Sequence, residues 1–241
     1  MTYCVGLLLD AGMVLLSDTR TNAGLDNIST YKKMFTFEQP GERAIVIMTA
    51  GSLSVTQTAI AQLQEMIDDP DASGERSIML APTMLKVAEI IGRTLSHVRQ
   101  DIDSKMEMAK VSTSASMIVA GQRVDGEMRM FLIYPEGNFI EATPDTPFLQ
   151  IGEHKYGKPI LDRVVRPSTT LEDARKAVLL SMDSTLRSNL SVGMPLDMAV
   201  IHKNDLRVTE TRRIEPHDPE FTKMSEAWSD VLRDGFSAIK I

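Results

Sequence analysis

The stretch TYCVGLLLDAGMVLLSDTRTNAG, residues 2–24, decides how this chain begins to fold. Residues 2–9 form a largely apolar run that predicts a β-strand, and the Asp10-Ala11-Gly12 sequence that follows is typical of a tight turn. Residues 13–18 form a second apolar run, which predicts the partner strand. The chain therefore opens with a β-hairpin that returns Asp18 toward the start of its first strand.

The remainder of the chain alternates between strand and helix patterns. They predict strands over residues 31–37, 44–50, 115–121, 128–134, 138–142, 196–202 and 206–213, and helices over residues 52–67, 82–102 and 171–186, with Pro82 in a first helical turn. A last amphipathic helix is marked by Phe221, Met224, Trp228, Val231 and Leu232. This order is typical of two sheets covered by helices, and the length favours one domain over residues 1–241.

Composition limits what the protein binds and where it works. The 241 residues are 43% hydrophobic and 24% charged, and no apolar run approaches the roughly 18 residues of a membrane span. A net charge of -7 argues against general nucleic-acid binding. The start of the chain lacks the pattern of a secretory signal, and the single cysteine, Cys4, cannot form an internal disulfide. We therefore expect a cytoplasmic protein whose partners include neither nucleic acid nor membrane. The four histidines show no paired ligand spacing, so we expect no metal site.

The second residue is the first chemical candidate. An N-terminal nucleophile needs a hydroxyl, a free amine beside it that accepts the proton, and donors for the oxyanion. Thr2 supplies the hydroxyl, and removal of Met1 would expose an α-amine, a group whose ordinary pKa of about 7.7 to 8.0 suits a general base near neutral pH. Any protein can carry threonine at this position, so Thr2 alone is a weak signal.

Two charged residues and a glycine strengthen the signal. Lys33, from the strand after the hairpin, is the candidate whose ammonium would stabilise charge on the Thr2 hydroxyl oxygen, while Asp18 would hold that ammonium in place. Lys32 is its rival, because a strand sends adjacent side chains to opposite faces. Gly51 ends a strand before a helix, so its amide could bind an oxyanion. Alternatively, Asp18 is a turn residue, Lys33 is solvated, and Gly51 is an ordinary strand-to-helix turn.

The opening stretch, YKKMF at residues 31–35 and TAGS at residues 49–52 together resemble the proteasome beta-subunit pattern in order and spacing. The resemblance implies that Thr2 is nucleophile and base, that Asp18 and Lys33 are its charged partners, that Gly51 supplies the oxyanion amide, and that Arg20 is structural. FLIYPEGNF and SNLSVGMPLDMAVI extend the resemblance over nearly the whole chain. The fold that it implies is α+β, the four-layer alpha-beta-beta-alpha sandwich of N-terminal nucleophile hydrolase type.

Two segments depart from the usual proteasome pattern. Gly152-Glu153-His154 stands where proteasome subunits usually carry Gly-Ser-Gly, and Ser188 stands where they usually carry an aspartate. Ser191 keeps the distal serine and joins the catalytic candidates. With GEHKYGKPIL at residues 152–161, these changes are similar to the bacterial ancestral beta-subunit (Anbu) branch. They alter the polar network near the Thr2 amine and bear on the rate more than on the site.

The resemblance implies a threonine-type peptidase that cleaves a peptide or an unfolded protein with Thr2 after Met1 is removed, and that needs no cofactor. Two alternatives stay open: a non-peptidase amidohydrolase of the same fold, and a weakly active or silent scaffold subunit that self-assembles. A retained Met1 would tie the Thr2 nitrogen into a peptide bond, and we expect it at the mouth of the cleft near Gly51. Lys33 alone would then be the remaining candidate base.

The sequence also predicts a substrate pocket and surfaces for assembly. Side chains on the Lys33 face of its strand and beside Gly51 indicate a mainly apolar pocket, formed by Tyr31, Phe35, Thr49 and Leu53. The Anbu resemblance implies a homo-oligomer of many subunits, arranged as a ring or an open spiral. The apolar stripes of the helices at 52–67 and 82–102 are the expected contact surfaces.

Overall fold

The computed structural model describes residues 2–22, 28–106 and 113–240. Within these ranges the strands are β1 (Tyr3–Leu9), β2 (Gly12–Asp18), β3 (Arg20–Asn22), β4 (Ile28–Thr30), β5 (Met34–Gln39), β6 (Arg43–Gly51), β7 (Ala115–Arg123), β8 (Arg129–Ile133), β9 (Phe139–Glu141), β10 (Phe148–Gly152), β11 (Leu196–His202) and β12 (Glu210–Ile214). The helices are α1 (Leu53–Asp68), α2 (Met84–Met106), α3 (Lys158–Val164), α4 (Leu171–Ser188) and α5 (Pro219–Ala238).

Two antiparallel five-stranded sheets form the centre of the molecule. Sheet I has the order β10-β1-β2-β11-β12 and sheet II the order β5-β6-β7-β8-β9, while β3 and β4 pair separately. Helices α1 and α2 cover the outer face of sheet II, and α3 and α4 cover the outer face of sheet I. The inner faces pack against each other. The predicted four-layer α+β sandwich is therefore confirmed.

Strand alternation explains why both sheets are buried on two sides. In β6, Ile45 and Ile47 pack toward α1 and α2, while Val46 and Met48 enter the core between the sheets. Successive side chains of a strand point to opposite faces, so a strand with apolar residues at every position packs both ways. The opening run in β1 behaves in the same manner, because Tyr3 packs toward the α4 side and Cys4 toward sheet II.

The structure corrects several predicted boundaries. Residues 31–33 lie outside the strand, which begins only at β5. Helix α2 begins at Met84, where the Thr83 hydroxyl accepts a hydrogen bond from the Lys86 N–H, so Pro82 precedes the helix and is not in its first turn. Strand β12 starts later than predicted, since Leu206 has a left-handed φ of 50° that a regular strand does not contain.

Four elements were missed: the three-residue strands β3 and β4, strand β10 and helix α3. Strand β10 has only five residues, and α3 has seven with Pro159 in its first turn. Neither shows a long periodic pattern, and their packing against the rest of the chain stabilises them. The strand matters for the site because β10 pairs with β1 from Gly152 opposite Tyr3 onward.

Helix α5 is attached to α4 through a polar cluster. The Ser225 hydroxyl donates to Asp183 Oδ1 at 2.6 Å, and Arg187 Nε donates to Asp183 Oδ2 at 3.1 Å. At its start, Asp218 accepts a hydrogen bond from the Phe221 N–H and so caps the first turn. None of the helices in the described part of the chain combines the length and apolar character that a bilayer crossing needs.

Candidate active site

The peptide group between Thr2 and Tyr3 is held at both ends. Its carbonyl oxygen, on Thr2, accepts a hydrogen bond of 2.8 Å from the Glu153 N–H. Its N–H, on Tyr3, donates to Asp18 Oδ1 at 3.1 Å. These two hydrogen bonds fix the candidate nucleophile against β10 and β2. Thr2 is only 6% exposed, so it is also largely shielded from water.

Asp18 lies where the hairpin prediction places it, at the end of β2 beside the start of β1. The antiparallel register pairs Cys4 with Ser17, which places Tyr3, the residue before Cys4, beside Asp18, the residue after Ser17. The Asp18 side chain is fully buried, and Oδ2 accepts a hydrogen bond of 3.3 Å from the Gly193 N–H. One carboxylate therefore contacts both the nucleophile strand and the loop before β11.

Lys33, and not Lys32, contacts this carboxylate. Lys33 Nζ lies 2.8 Å from Asp18 Oδ1 and 2.5 Å from the Arg20 carbonyl oxygen, and the residue is 4% exposed. Lys32 is exposed, with its Nζ 5.5 Å from the centre of the Phe35 ring. Strand alternation is not the reason for this choice, because neither lysine is in β5.

Burial dominates the electrostatics of the pair. Removal from water raises the pKa of the Asp18 carboxyl above its ordinary value, while the Lys33 ammonium and the Tyr3 and Gly193 N–H groups act in the opposite direction. Burial also raises the pKa of the Cys4 thiol, which is fully shielded between the sheets. Cys4 is therefore a small core residue, as its position in an apolar strand indicates.

Gly51 has a conformation and surroundings that require glycine. Its φ is +104°, and a Cβ there would lie 2.3 Å from the Ser114 carbonyl oxygen. The N–H of Thr49 donates to the Lys33 carbonyl oxygen at 2.9 Å. Backbone N–H groups point alternately to the two sides of a strand, so the Gly51 N–H points to the same side of β6 as the Thr49 N–H, which is the side of β5. Gly51 itself is the last residue of β6 before α1.

Ser191 lies in the loop that Asp18 and Arg20 hold. Arg20 Nη1 donates to the Leu190 carbonyl oxygen at 3.0 Å, and the Ser191 N–H donates to Asn189 Oδ1 at 2.9 Å. The Arg20 guanidinium lies directly over Gly193, where a Cβ would come within 2.2 Å of Cζ. Arg20 is thus a structural residue, and Gly193 is a site neighbour that the sequence interpretation missed.

The four predicted pocket residues do not share one pocket. Tyr31 and Phe35 line a cavity of about 490 Å³ against α1, together with Lys32 rather than Lys33. Thr49 is 3% exposed, and its hydroxyl donates to the Lys33 carbonyl oxygen at 3.5 Å. Leu53 is the half-buried first residue of α1. The prediction that Tyr31 and Phe35 lie on the Lys33 face was therefore wrong, because residues 31–33 leave the strand.

Tyr3 is a second feature that sequence reasoning missed. Its hydroxyl lies 2.6 Å from Ser181 Oγ on α4 and accepts a 2.6 Å hydrogen bond from Gln150 Nε2 on β10. Burial raises the pKa of Tyr3 to about 12, although these hydrogen bonds act in the opposite direction. A buried tyrosine with a paired hydroxyl at this point fixes the residue next to Thr2 both to the helix layer, through α4, and to the neighbouring strand β10 of its own sheet.

Gly152 has a left-handed φ of +80°, and a Cβ there would lie 1.9 Å from the Thr2 carbonyl oxygen. The glycine of the Gly152-Glu153-His154 sequence therefore allows close approach to the nucleophile residue. Met1 lies outside the described residues, so its predicted place at the mouth of the cleft stays a prediction. In the described ranges, no group of three or more His, Cys, Asp or Glu side chains is placed to hold a metal ion.

Comparison with known proteins agrees with this arrangement. The sequence profile described as Proteasome subunit matches residues 2–201. The comparison with curated proteins gave no match. Because the profile covers most of the chain and the four layers are those of the N-terminal nucleophile hydrolase type, this chain belongs to the proteasome subunit family.

Within that family, the chain belongs to the Anbu branch. The Anbu (Gly-1) mutant from Hyphomicrobium sp. strain MC1 is 46% identical over 100% of this chain and 99% of that chain, with a TM-score of 0.93. Anbu (ancestral beta-subunit) from Yersinia bercovieri is 40% identical over 99% and 98%, with a TM-score of 0.92. The helical assembly of the Anbu complex from Pseudomonas aeruginosa is 44% identical over 99% and 97%, with a TM-score of 0.92.

Proposed function

We propose that this chain is a threonine-type peptidase subunit that cleaves peptide bonds with Thr2 after Met1 is removed, and that it works in a cytoplasmic homo-oligomer. The observation that carries the proposal is the buried Lys33–Asp18 pair, because Asp18 also binds the amide of the residue after Thr2. The self-assembly part is supported by the Pseudomonas aeruginosa relative, which was solved as a helical assembly.

In the proposed reaction, Thr2 Oγ attacks the carbonyl carbon of the substrate while the Thr2 amine takes the hydroxyl proton through a water molecule. The Lys33 ammonium stabilises the developing charge on Oγ, and the Gly51 N–H binds the oxyanion. The C–N bond of the substrate then breaks, and the departing amine takes the proton. Water hydrolyses the remaining ester and regenerates Thr2. Ser191, in the loop bound to Asp18, is the candidate that orients the amine.

The decisive experiment compares Thr2→Ala with a matched threonine variant. Thr94 on α2 is a suitable control because it is 5% exposed, nearly the same as Thr2. With Met1 absent by intact mass, we expect wild type and Thr94→Ala to hydrolyse fluorogenic peptides and Thr2→Ala to lose at least about a thousandfold in rate. Undiminished turnover in Thr2→Ala would refute the proposal.

A peptide electrophile that labels hydroxyl nucleophiles distinguishes the alternatives. We expect labelling of wild type at Thr2, located by peptide mass, and none of Thr2→Ala. Labelling with turnover of small amides but not of peptides would assign the amidohydrolase alternative. Neither labelling nor turnover in a sample without Met1 would assign the silent scaffold.

A further inference from the structure

Helix α5 carries one apolar stripe of which the chain covers only the first half. At the start, Phe221 packs against the core beneath α4, and Ser225 is buried. Four large apolar side chains continue at helical spacing, and their exposed fractions are 59% for Val231, 53% for Leu232, 81% for Phe236 and 71% for Ile239.

The covered and uncovered halves share one face of the helix. At 100° per residue, Phe221, Trp228, Leu232 and Ile239 lie within about 40° of each other, while Asp230 and Ser237 lie on the opposite side. The space beside the uncovered half is open, since a Cβ added at Gly235 would meet no atom within 4 Å. Neighbouring large apolar side chains that are exposed to solvent in this way mark an interaction site.

The helices that the sequence suggested as contact surfaces do not offer such a face. Val55, Ala59 and Leu63 of α1 are buried in the core shared with α2 and sheet II. The apolar face of α2 enters the same core through Val87, Ile91 and other residues. The apolar stripes of α1 and α2 are thus filled within the chain, whereas α5 carries an uncovered stripe. The proteasome family profile ends at residue 201, so α5 also lies outside the segment common to the family.

We propose that the uncovered half of the stripe, from Val231 on α5 to Ile239 directly after the helix, packs against a second copy of this chain; this rests on the self-assembly in the proposed function. The relative solved as a helical assembly is 44% identical and aligns with 99% of this chain, and every subunit of a helical assembly must offer a surface to another. The polar face does not suit a membrane. Within α5 the acidic residues Glu220, Glu226, Asp230 and Asp234 outnumber the basic residues Lys223 and Arg233, whereas helices on anionic bilayers carry a basic face.

The test compares Phe236→Glu with Ser237→Glu, which adds the same charge to the opposite face of the same turn. Sedimentation velocity over a concentration series should show wild type and Ser237→Glu as assemblies. We expect Phe236→Glu to raise the midpoint concentration of assembly at least about tenfold, toward the 26.7 kDa monomer. Thermal unfolding monitored in the same samples should be unchanged for the monomer, because Phe236 is exposed.

The outcomes separate the two proposals. Equal assembly of both variants would overturn the α5 contact while self-assembly stands. A monomeric wild type at micromolar concentration would overturn self-assembly and the contact together, without touching the peptidase proposal. Binding of wild type to phosphatidylserine vesicles that Phe236→Glu removes, with assembly unaffected, would overturn the second copy as the occupant.

Discussion

Lys33 Nζ lies 2.8 Å from Asp18 Oδ1, and both side chains are almost completely shielded from water. Asp18 is the last residue of β2 in sheet I, whereas Lys33 lies just before β5, the edge strand of sheet II. A buried charge that loses its partner has neither water nor a counter-ion, so breaking the pair from one side is strongly destabilising. We therefore expect the pair to contribute both to the stability of the fold and to the proposed chemistry.

Lys33→Met is expected to lower the free energy of unfolding by about 3–5 kcal/mol and to abolish peptide hydrolysis, because the Asp18 charge is left buried and the Thr2 oxygen loses its cation. Lys32→Met is the matched control. The Lys32 ammonium is exposed, so we expect this variant to lose less than about 0.5 kcal/mol of unfolding free energy and to keep near-normal turnover. Urea unfolding followed by circular dichroism measures the first quantity. The reverse ranking would show that the wrong lysine was assigned.

A double variant separates stability from chemistry in this pair. Asp18→Asn combined with Lys33→Met removes both charges yet keeps an oxygen acceptor for the Tyr3 N–H. We expect it to regain part of the stability lost in Lys33→Met while hydrolysis stays absent. Recovery of hydrolysis with stability would mean that Lys33 only supports the fold.

The pH dependence of stability should carry the signature of Asp18. Its pKa is raised by burial above the ordinary aspartate value of about 3.9, so the folded state holds this proton more tightly than the unfolded chain does. The resulting stabilisation is fully present below about pH 3.9 and is lost as the pH rises through the raised pKa. Wild-type stability minus Asp18→Asn stability should therefore fall across this window and then level off. Urea unfolding at closely spaced pH values measures it, and a difference that rises with pH would contradict the expectation.

Two glycines with nearly the same left-handed φ test the contact at the nucleophile. Gly152 has φ +80° and Gly41 has φ +81°, but a Cβ at Gly152 would meet the Thr2 carbonyl oxygen, whereas one at Gly41 would meet nothing within 4 Å. Each alanine substitution is expected to cost about 1–2 kcal/mol for the left-handed conformation. Gly152→Ala should in addition displace Thr2 and lower kcat at least about a hundredfold. Equal activity of the two variants would exclude this role for Gly152.

Removal of Met1 should decide whether the amine of Thr2 is the base. In matched samples with and without Met1, prepared from a cleavable fusion and checked by intact mass, we expect substantial hydrolysis only without Met1. The physical reason is that an amide nitrogen does not accept a proton as an amine does. Equal rates would mean that another group, with Lys33 as the candidate, takes the proton.

Much of the fold was predictable because its patterns are local. The apolar runs before and after Gly12 predict the opening hairpin, and the register of that hairpin brings Asp18 beside Tyr3. Strand β10 and helix α3 escaped prediction, since five and seven residues carry too little periodicity. The predicted pocket was wrong for a different reason, because strand alternation was applied to residues 31–33, which are not in a strand.

The sequence by itself determined the opening hairpin and the order of the longer elements, because strand alternation, turn residues and spacing act over short distances along the chain. Thr2, Asp18, Lys33 and Gly51 became candidates through their match to the proteasome beta-subunit pattern. Only the tertiary structure decided that Lys33 rather than Lys32 reaches Asp18, and that β10 and the loop at Gly193 hold the site from two sides. It also decided which amphipathic helix is left uncovered, since α1 and α2 pack into a shared core with sheet II while the second half of α5 stays exposed. These contacts join residues far apart in sequence, and their geometry depends on how two sheets and their helices pack.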